Sequence, residues 1–291
     1  MSLTSDRELI IPDYHNNKLL IFGEDGLFQK AIGSEGQGPG EFELISGLYV
    51  KEDILYVSDI AQQRISKFNI GSQELLEIIS IEGFFYDFLV DDDYIATYSI
   101  DDTDKEMIRI HSLEGEKLSK GFKFEDDAHR IFLNRFNLGS ITPAPEGDTF
   151  FVLYPGSYGI YELNTEMEVI NALQTYDYNQ YRQKPPSFPG DLNPYEWEEE
   201  HIEYAQSFNM NARHFLVEPD IHIIMYFEFR QQEHAPMWLN IYRNDGSVIA
   251  EGVEVPKGHQ VVATKNDCIF LRTALDYPED IPRIEEYKID K

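Results

Sequence analysis

A unit of four short strands, repeated at a spacing of about 45 residues, sets the narrowest limits on what this chain can fold into. The clearest copy runs through Leu48-Tyr-Val, Ile54-Leu-Tyr-Val-Ser-Asp59, Arg64-Ile-Ser-Lys-Phe-Asn-Ile70 and Leu75-Leu-Glu-Ile-Ile79. Each run is rich in β-branched and aromatic residues and is bounded by a polar turn, which is how a strand reads in sequence. An aspartate stands directly before or at the start of the second strand at Asp53, Asp93, Asp148, Asp220 and Asp267. Its side chain can bond nearby backbone N–H groups and close the turn.

Third strands recur as Leu19-Leu-Ile-Phe22, Ile65-Ser-Lys-Phe68, Ile108-Arg-Ile-His111, Gly159-Ile-Tyr-Glu-Leu163, Leu239-Asn-Ile-Tyr242 and Ile284-Glu-Glu-Tyr-Lys-Ile289. Several are followed by hairpin dipeptides such as Asp25-Gly26, Glu114-Gly115 and Asp245-Gly246. Gly26 and Gly71 are 45 residues apart, and Gly71 and Gly115 are 44 apart. That matches the roughly 40–50 residues of a propeller blade. The expectation is therefore an all-β, six-bladed β-propeller formed as one domain over residues 1–291.

First strands are predicted near residues 44–50, 86–91, 139–144, 214–219 and 260–265, with a short one near Ser2–Thr4. The sixth blade reaches Ile289 with its third strand, so three strands are expected there. Met1-Ser2-Leu3 has neither a charged nor an apolar leader segment, and too few residues precede Leu9 to add a closing strand. The closing strand and a natural leader are accordingly expected upstream of this sequence.

Asp148 and Asp220 are 72 residues apart, which leaves room for an insertion at about 177–210, between blades four and five. Residues 177–192 read as loop. Asn193-Pro194-Tyr-Glu196 then resembles a helix start, with an N-cap, a proline at the first position and a capping-box glutamate. A helix over Pro194–Ser207 would place Trp197, His201, Tyr204, Ala205 and Phe208 on one apolar face. Glu198, Glu199, Glu200 and Glu203 would face water.

Acidic side chains number 53 against 24 basic ones, for a net charge of -29. Such a surface repels nucleic acid and anionic lipid. No stretch approaches the roughly 20 apolar residues of a membrane-spanning helix. The single cysteine, Cys268, reads as a buried, inert thiol in the run Cys268-Ile-Phe-Leu271.

Chemistry-bearing motifs are few. The stretch Gly33–Gly40 is no phosphate loop, because Pro39 interrupts it, the Gly-Lys-Ser/Thr ending is missing and a strand follows. It reads as a crossing loop. Asp91–Asp93 and Asp101–Asp104 lack the glycine and terminal glutamate of an EF-hand, so calcium has only loose acidic turns to bind. Neither a Gly-x-Ser-x-Gly elbow nor an activated cysteine is present, and no catalytic residue is assigned.

In a propeller, sites arise from equivalent loops of different blades. Loops joining a fourth strand to the next first strand all reach the channel mouth, which selects Glu41, Tyr86, Arg135, Arg213, His214 and His259 as ligand-binding candidates. Trp197 and Trp238, with Tyr154 and Tyr158, are aromatic candidates on the same face, suited to sugar or peptide. His214 and His259 alone fall one short of the three protein ligands usual for catalytic zinc, so no metal set is assigned.

The run Gly33-Ser-Glu-Gly-Gln-Gly-Pro-Gly-Glu-Phe42, followed by Tyr56-Val-Ser-Asp59 and Arg64-Ile-x-x-Phe68, resembles the NHL/TolB-like six-bladed propellers. It is similar in particular to a group of Bacteroidetes propeller proteins of unassigned activity. The resemblance covers residues 9–120 and gives way to general propeller grammar afterwards. It implies an exported protein, periplasmic or associated with the outer membrane, often carried on a lipid anchor.

Three functions fit that resemblance. The first is a non-catalytic propeller of the bacterial envelope that binds a protein, sugar or other small ligand without a cofactor. The second is a metal-dependent lyase or lactonase with calcium or zinc at the channel mouth, as the amidating lyases of the group hold zinc on histidines. The third is a structural subunit of an envelope complex.

Overall fold

The computed structural model describes the chain except residues 1, 5–7, 100–104, 124–125, 137, 146–147, 158, 175–185, 218, 230–234, 258, 266–267, 274–283 and 290–291. The expected turn residue Asp267, the acidic run Asp101–Asp104 and Tyr158 lie outside the described residues.

The strands form six antiparallel sheets, each a meander in chain order. The first holds β1 (Ser2–Leu3), β2 (Leu9–Asp13), β3 (Lys18–Phe22) and β4 (Phe28–Ile32). The second holds β5 (Ile45–Lys51), β6 (Ile54–Asp59), β7 (Arg64–Asn69) and β8 (Leu75–Ser80), and the third β9 (Asp87–Val90), β10 (Ile95–Tyr98), β11 (Glu106–His111) and β12 (Lys117–Lys123). The fourth is β13 (Ser140–Pro143), β14 (Thr149–Leu153), β15 (Gly159–Asn164) and β16 (Val169–Gln174). The fifth is β17 (Asn209–Val217), β18 (Ile221–Glu228), β19 (Met237–Arg243) and β20 (Val248–Glu254). The sixth, among the described residues, has three strands: β21 (His259–Lys265), β22 (Cys268–Thr273) and β23 (Ile284–Lys288). This is the all-β, six-bladed arrangement that the repeat predicts.

Two compact units divide the chain. One comprises Met1–Ser99 and Ile108–Lys120, and the other Ile100–Met107 and Gly121–Lys291. Within the first, Ile10, Leu19 and Ile21 pack with Leu55, Val57 and Phe68 of the second sheet. On that sheet's other face, Tyr56, Ile65 and Ile79 meet Phe88, Val90 and Ile95 of the third. Within the second unit, Phe151, Leu153 and Ile160 meet Ile224 and Tyr242, and Ile223, Leu239 and Ile241 meet Val261, Ile269 and Leu271. The second and third strands named here therefore carry apolar residues on both faces, as sheets buried on both sides require, while the fourth strands, such as Phe28–Ile32 and Leu75–Ser80, are largely exposed.

The turns differ from expectation in one respect. At Asp53 and Asp220 it is the backbone carbonyl that acts, accepting the N–H of Ile70 at 2.9 Å and of Asn244 at 3.0 Å. Side-chain closure occurs instead at the hairpin between third and fourth strands. Asp25 accepts Leu27 N–H, Asn69 accepts Ser72 N–H, and Ser112 accepts Glu114 N–H. Asn164 accepts Glu168 N–H and Asp245 accepts Ser247 N–H, so one Asx or Ser cap serves each of the first five sheets.

The insertion helix α1 is shorter than predicted, at Glu199–Gln206. Asn193 does not cap it. Its Oδ1 accepts Tyr195 N–H, its Nδ2 donates to Glu196 and its carbonyl takes the Nε2–H of His201 at 2.8 Å, which closes a separate turn. The helix begins at Glu198, whose N–H donates to Nδ1 of His201. The expected apolar face holds in part: His201, Tyr204, Ala205 and Phe208 are buried and Glu198, Glu199, Glu200 and Glu203 are exposed, but Trp197 precedes the helix and remains 40% exposed.

A second helical segment was not predicted: an α-helix at Asp127–Leu133 running into a 3-10 turn at Asn134–Phe136. It joins β12 to β13. Cys268 in β22 is half-buried rather than buried.

Candidate functional site

In the first unit, the glycine-rich stretch is the crossing loop between β4 and β5, and it is tied down from the second sheet. Arg64 donates to the carbonyls of Gly38 at 2.9 Å and Glu41 at 2.6 Å, and Gln62 donates to that of Gly36. Glu41 turns back into its own loop, where its carboxylate accepts Gly38 N–H at 2.7 Å. A Cβ added at Gly36 would lie 2.2 Å from that carboxylate, which explains glycine at this position. Tyr86 is half-buried just before β9, its N–H bound to Tyr98 O at 2.8 Å. The acidic turn at Asp91 and Asp92 holds a lysine: Nζ of Lys51 lies 3.4 Å and 2.8 Å from the two carboxylates.

In the second unit, the Asp127–Phe136 segment and the insertion build an aromatic stack. Phe132, fully buried, is its centre and touches Phe136, Phe188, Trp197, His201 and Tyr204. Trp197 lies near-parallel to Phe132, with centroids 5.7 Å apart, and meets Phe136 and Phe229 edge-on. It remains 40% exposed. The exposed Arg135 lies over its ring at 5.6 Å and donates to Pro194 O at 2.9 Å. Of the candidates read from sequence, Arg135 and Trp197 are brought into direct contact.

His214 departs from its predicted place. The first strand of the fifth sheet starts at Asn209, five residues before the expected position, and carries a bulge between Asn211 and Arg213. His214 therefore stands in mid-strand, 2% exposed, instead of at a channel mouth. Its N–H donates to Ser140 Oγ at 2.8 Å and its carbonyl accepts from Thr142 Oγ1 at 3.4 Å, which ties β17 to β13. Gly139 N–H adds a bond to Ala212 O, and Asn211 Nδ2 one to Ser157 O.

The imidazole of His214 stacks on that of His222, with Nε2 of the former 3.0 Å from Nδ1 of the latter. Phe151 packs edge-on to both. Nε2 of His222 meets Oδ1 of Asn244, whose Nδ2 donates to Pro219 O. Burial, with His222 alongside, holds His214 well below the ordinary imidazole range. Burial also lowers His222, against the pull of Asn244, Glu162 and Asp220.

Arg213 is half-buried on the opposite side of the strand alternation. His259 opens β21, with Nε2 3.5 Å from Glu285 and Nδ1 against Lys257 O. Trp238 stacks on Tyr226 at 5.7 Å inside the fifth sheet.

Residues 2–232 match DUF5128, a family of 6-bladed beta-propellers. The chain belongs to that family.

Solved structures similar to this DUF5128 propeller include a Bacteroides vulgatus member of the DUF4221 family, at TM-score 0.65 and 12% identity over 99% of this chain and 91% of that one. A Bacteroides fragilis protein named as exported gives TM-score 0.60 and 15% identity over 94% and 78%. Streptogramin B lyase gives 0.53 and 10% over 98% and 78%. At these identities the likeness is one of fold. No curated protein matches the sequence.

Among the described residues of this DUF5128 propeller, no group of three His, Cys, Asp or Glu side chains converges as a metal site. No helix among them is long and apolar enough to cross a membrane. Trp197 presents an exposed indole and Arg135 an exposed guanidinium, groups suited to stacking and to charge-assisted hydrogen bonds.

Proposed function

We propose that this chain is a non-catalytic recognition propeller, exported to the bacterial envelope, that binds ligand through the aromatic stack of its insertion. The observation that carries this reading is Trp197, which stays 40% exposed although Phe132, Phe136, Phe229 and Arg135 fix its surroundings. An indole serving only to fill a core would be covered. One that is locked in place yet open contacts a partner at little cost in side-chain entropy. Tyr195, two residues away in the chain, is also exposed, and Arg135 adds cationic donors in a chain whose net charge is -29. Export rests on the family resemblance and on the Bacteroides fragilis neighbour named as exported.

Trp197 and Trp238 are the only tryptophans, so W238F leaves a single reporter at the stack. Its emission is titrated with a panel of neutral and uronate oligosaccharides and of tyrosine- or lysine-rich peptides. The expected result is a saturable change with one class, weakened about tenfold or more in R135A while the far-UV spectrum stays unchanged. No saturable response to any class, or one that R135A leaves intact, overturns the reading.

A further inference from the structure

The geometry points to an acid-released latch between the fourth and fifth sheets, formed by the His214–His222 pair. The proton positions follow from the hydrogen bonds alone. Asn244 Nδ2 donates to Pro219 O at 3.2 Å, which leaves Oδ1 of Asn244 facing His222 as an acceptor. His222 therefore carries its proton on Nε2, and its Nδ1 must accept. His214 supplies that bond from Nε2 at 3.0 Å and is left with an unprotonated Nδ1. This Nδ1 is buried and has no hydrogen-bond partner.

An added proton has two places to go. Placed so that the His–His bond survives, it leaves an N–H at Nδ1 of His214, in a buried site with no acceptor. Placed on Nδ1 of His222, it sets two N–H groups against each other and the bond is lost. Both outcomes put a charge between rings that Phe151 packs edge-on.

The charged groups facing the pair offer incomplete relief. Asp220, on the pair's own sheet, is shared with Arg243 at 3.5 Å. Glu162, on the fourth sheet, already accepts Thr149 Oγ1 at 2.8 Å. Both act on His222, and neither reaches His214. The backbone of His214 is also the residue bonded to Ser140 and Thr142 across the junction, so strain on its ring is transmitted to the join between sheets.

The sign follows from burial. In the folded chain both imidazoles lie below 6.5, and on opening they recover that ordinary value. The latch is thus at full strength above pH 6.5 and weakens as pH falls below it. Between pH 7.5 and 5, each imidazole released by opening lowers protection by up to about thirtyfold.

Hydrogen-exchange mass spectrometry of the full chain at pH 7.5 and 5.0, corrected for intrinsic rates, tests this. Strands at 209–217 and 140–143 are expected to lose more protection in acid than 54–59 of the second sheet, which contains no histidine. H214Q keeps a donor toward His222 but cannot take a proton, and should remove one of the two factors. Equal losses in all three strands, or an H214Q protein that loses as much as the parent, overturn the latch. Should H214Q fail to fold, carbon-13 NMR titration of the parent decides. His214 and His222 staying neutral below pH 5.5 supports the latch, and titration of both near 6.5 refutes it.

Discussion

The carboxylate of Asp59 is fully buried and accepts from the N–H groups of Glu43, Leu44 and Gln62 and from Gln62 Nε2. Two of those donors belong to the segment entering β5, so this side chain fixes where the second sheet begins relative to the glycine loop. Removing it takes the acceptor from three part-buried N–H groups, at about 1–3 kcal/mol for each that water does not reach. D59A is expected to lower the urea midpoint by an amount equal to about 3 kcal/mol or more. A shift below about 1 kcal/mol would show that water or Glu43 replaces the carboxylate. Sequence shows this residue as the end of the motif Tyr56-Val-Ser-Asp59, and its bonds to Gln62 are local, but its bonds to Glu43 and Leu44 depend on a fold that brings back a segment 16 and 15 residues away. The same limit applied to His214. Its identity was legible, while the early start of β17 and the bulge that buried it were not.

At the level of elements, the insertion helix was legible because His201, Tyr204, Ala205 and Phe208 recur at helical spacing. The Asp127–Leu133 helix was missed because seven residues hold barely two turns, too few for a period to stand out. The available signal was Ala128, Phe132 and Phe136 at intervals of four behind the acidic pair Asp126-Asp127. What no local pattern reveals is that the two helical segments are each other's core. Phe132 supplies that join, so F132A should cost about 3–5 kcal/mol. Loss should appear first in near-UV circular dichroism and in exchange protection at 127–136 and 199–208. Strands at 54–59, in the other unit, are expected to keep their protection, and their simultaneous loss would mean that the stack supports more than its own region.

For the whole molecule, a net charge of -29 opposes compaction, and this self-repulsion is screened by salt. Raising sodium chloride from 20 to 300 mM should lift the thermal midpoint by about 3 °C or more. A fall would mean that ion pairs such as Lys51 with Asp91 and Asp92 outweigh the repulsion. The six-sheet architecture was legible because strand period and a spacing of 44 to 45 residues agree over the first three copies, and the 72-residue step from Asp148 to Asp220 reads as one copy plus an insertion. The capped hairpins between third and fourth strands have a kinetic consequence. Among the described residues each strand pairs only with its neighbours along the chain, so contacts within a sheet are local and contact order there is low. A nascent chain can therefore complete one sheet after another as it emerges, with little entropy lost to closing long loops, and only the packing of sheet on sheet must wait.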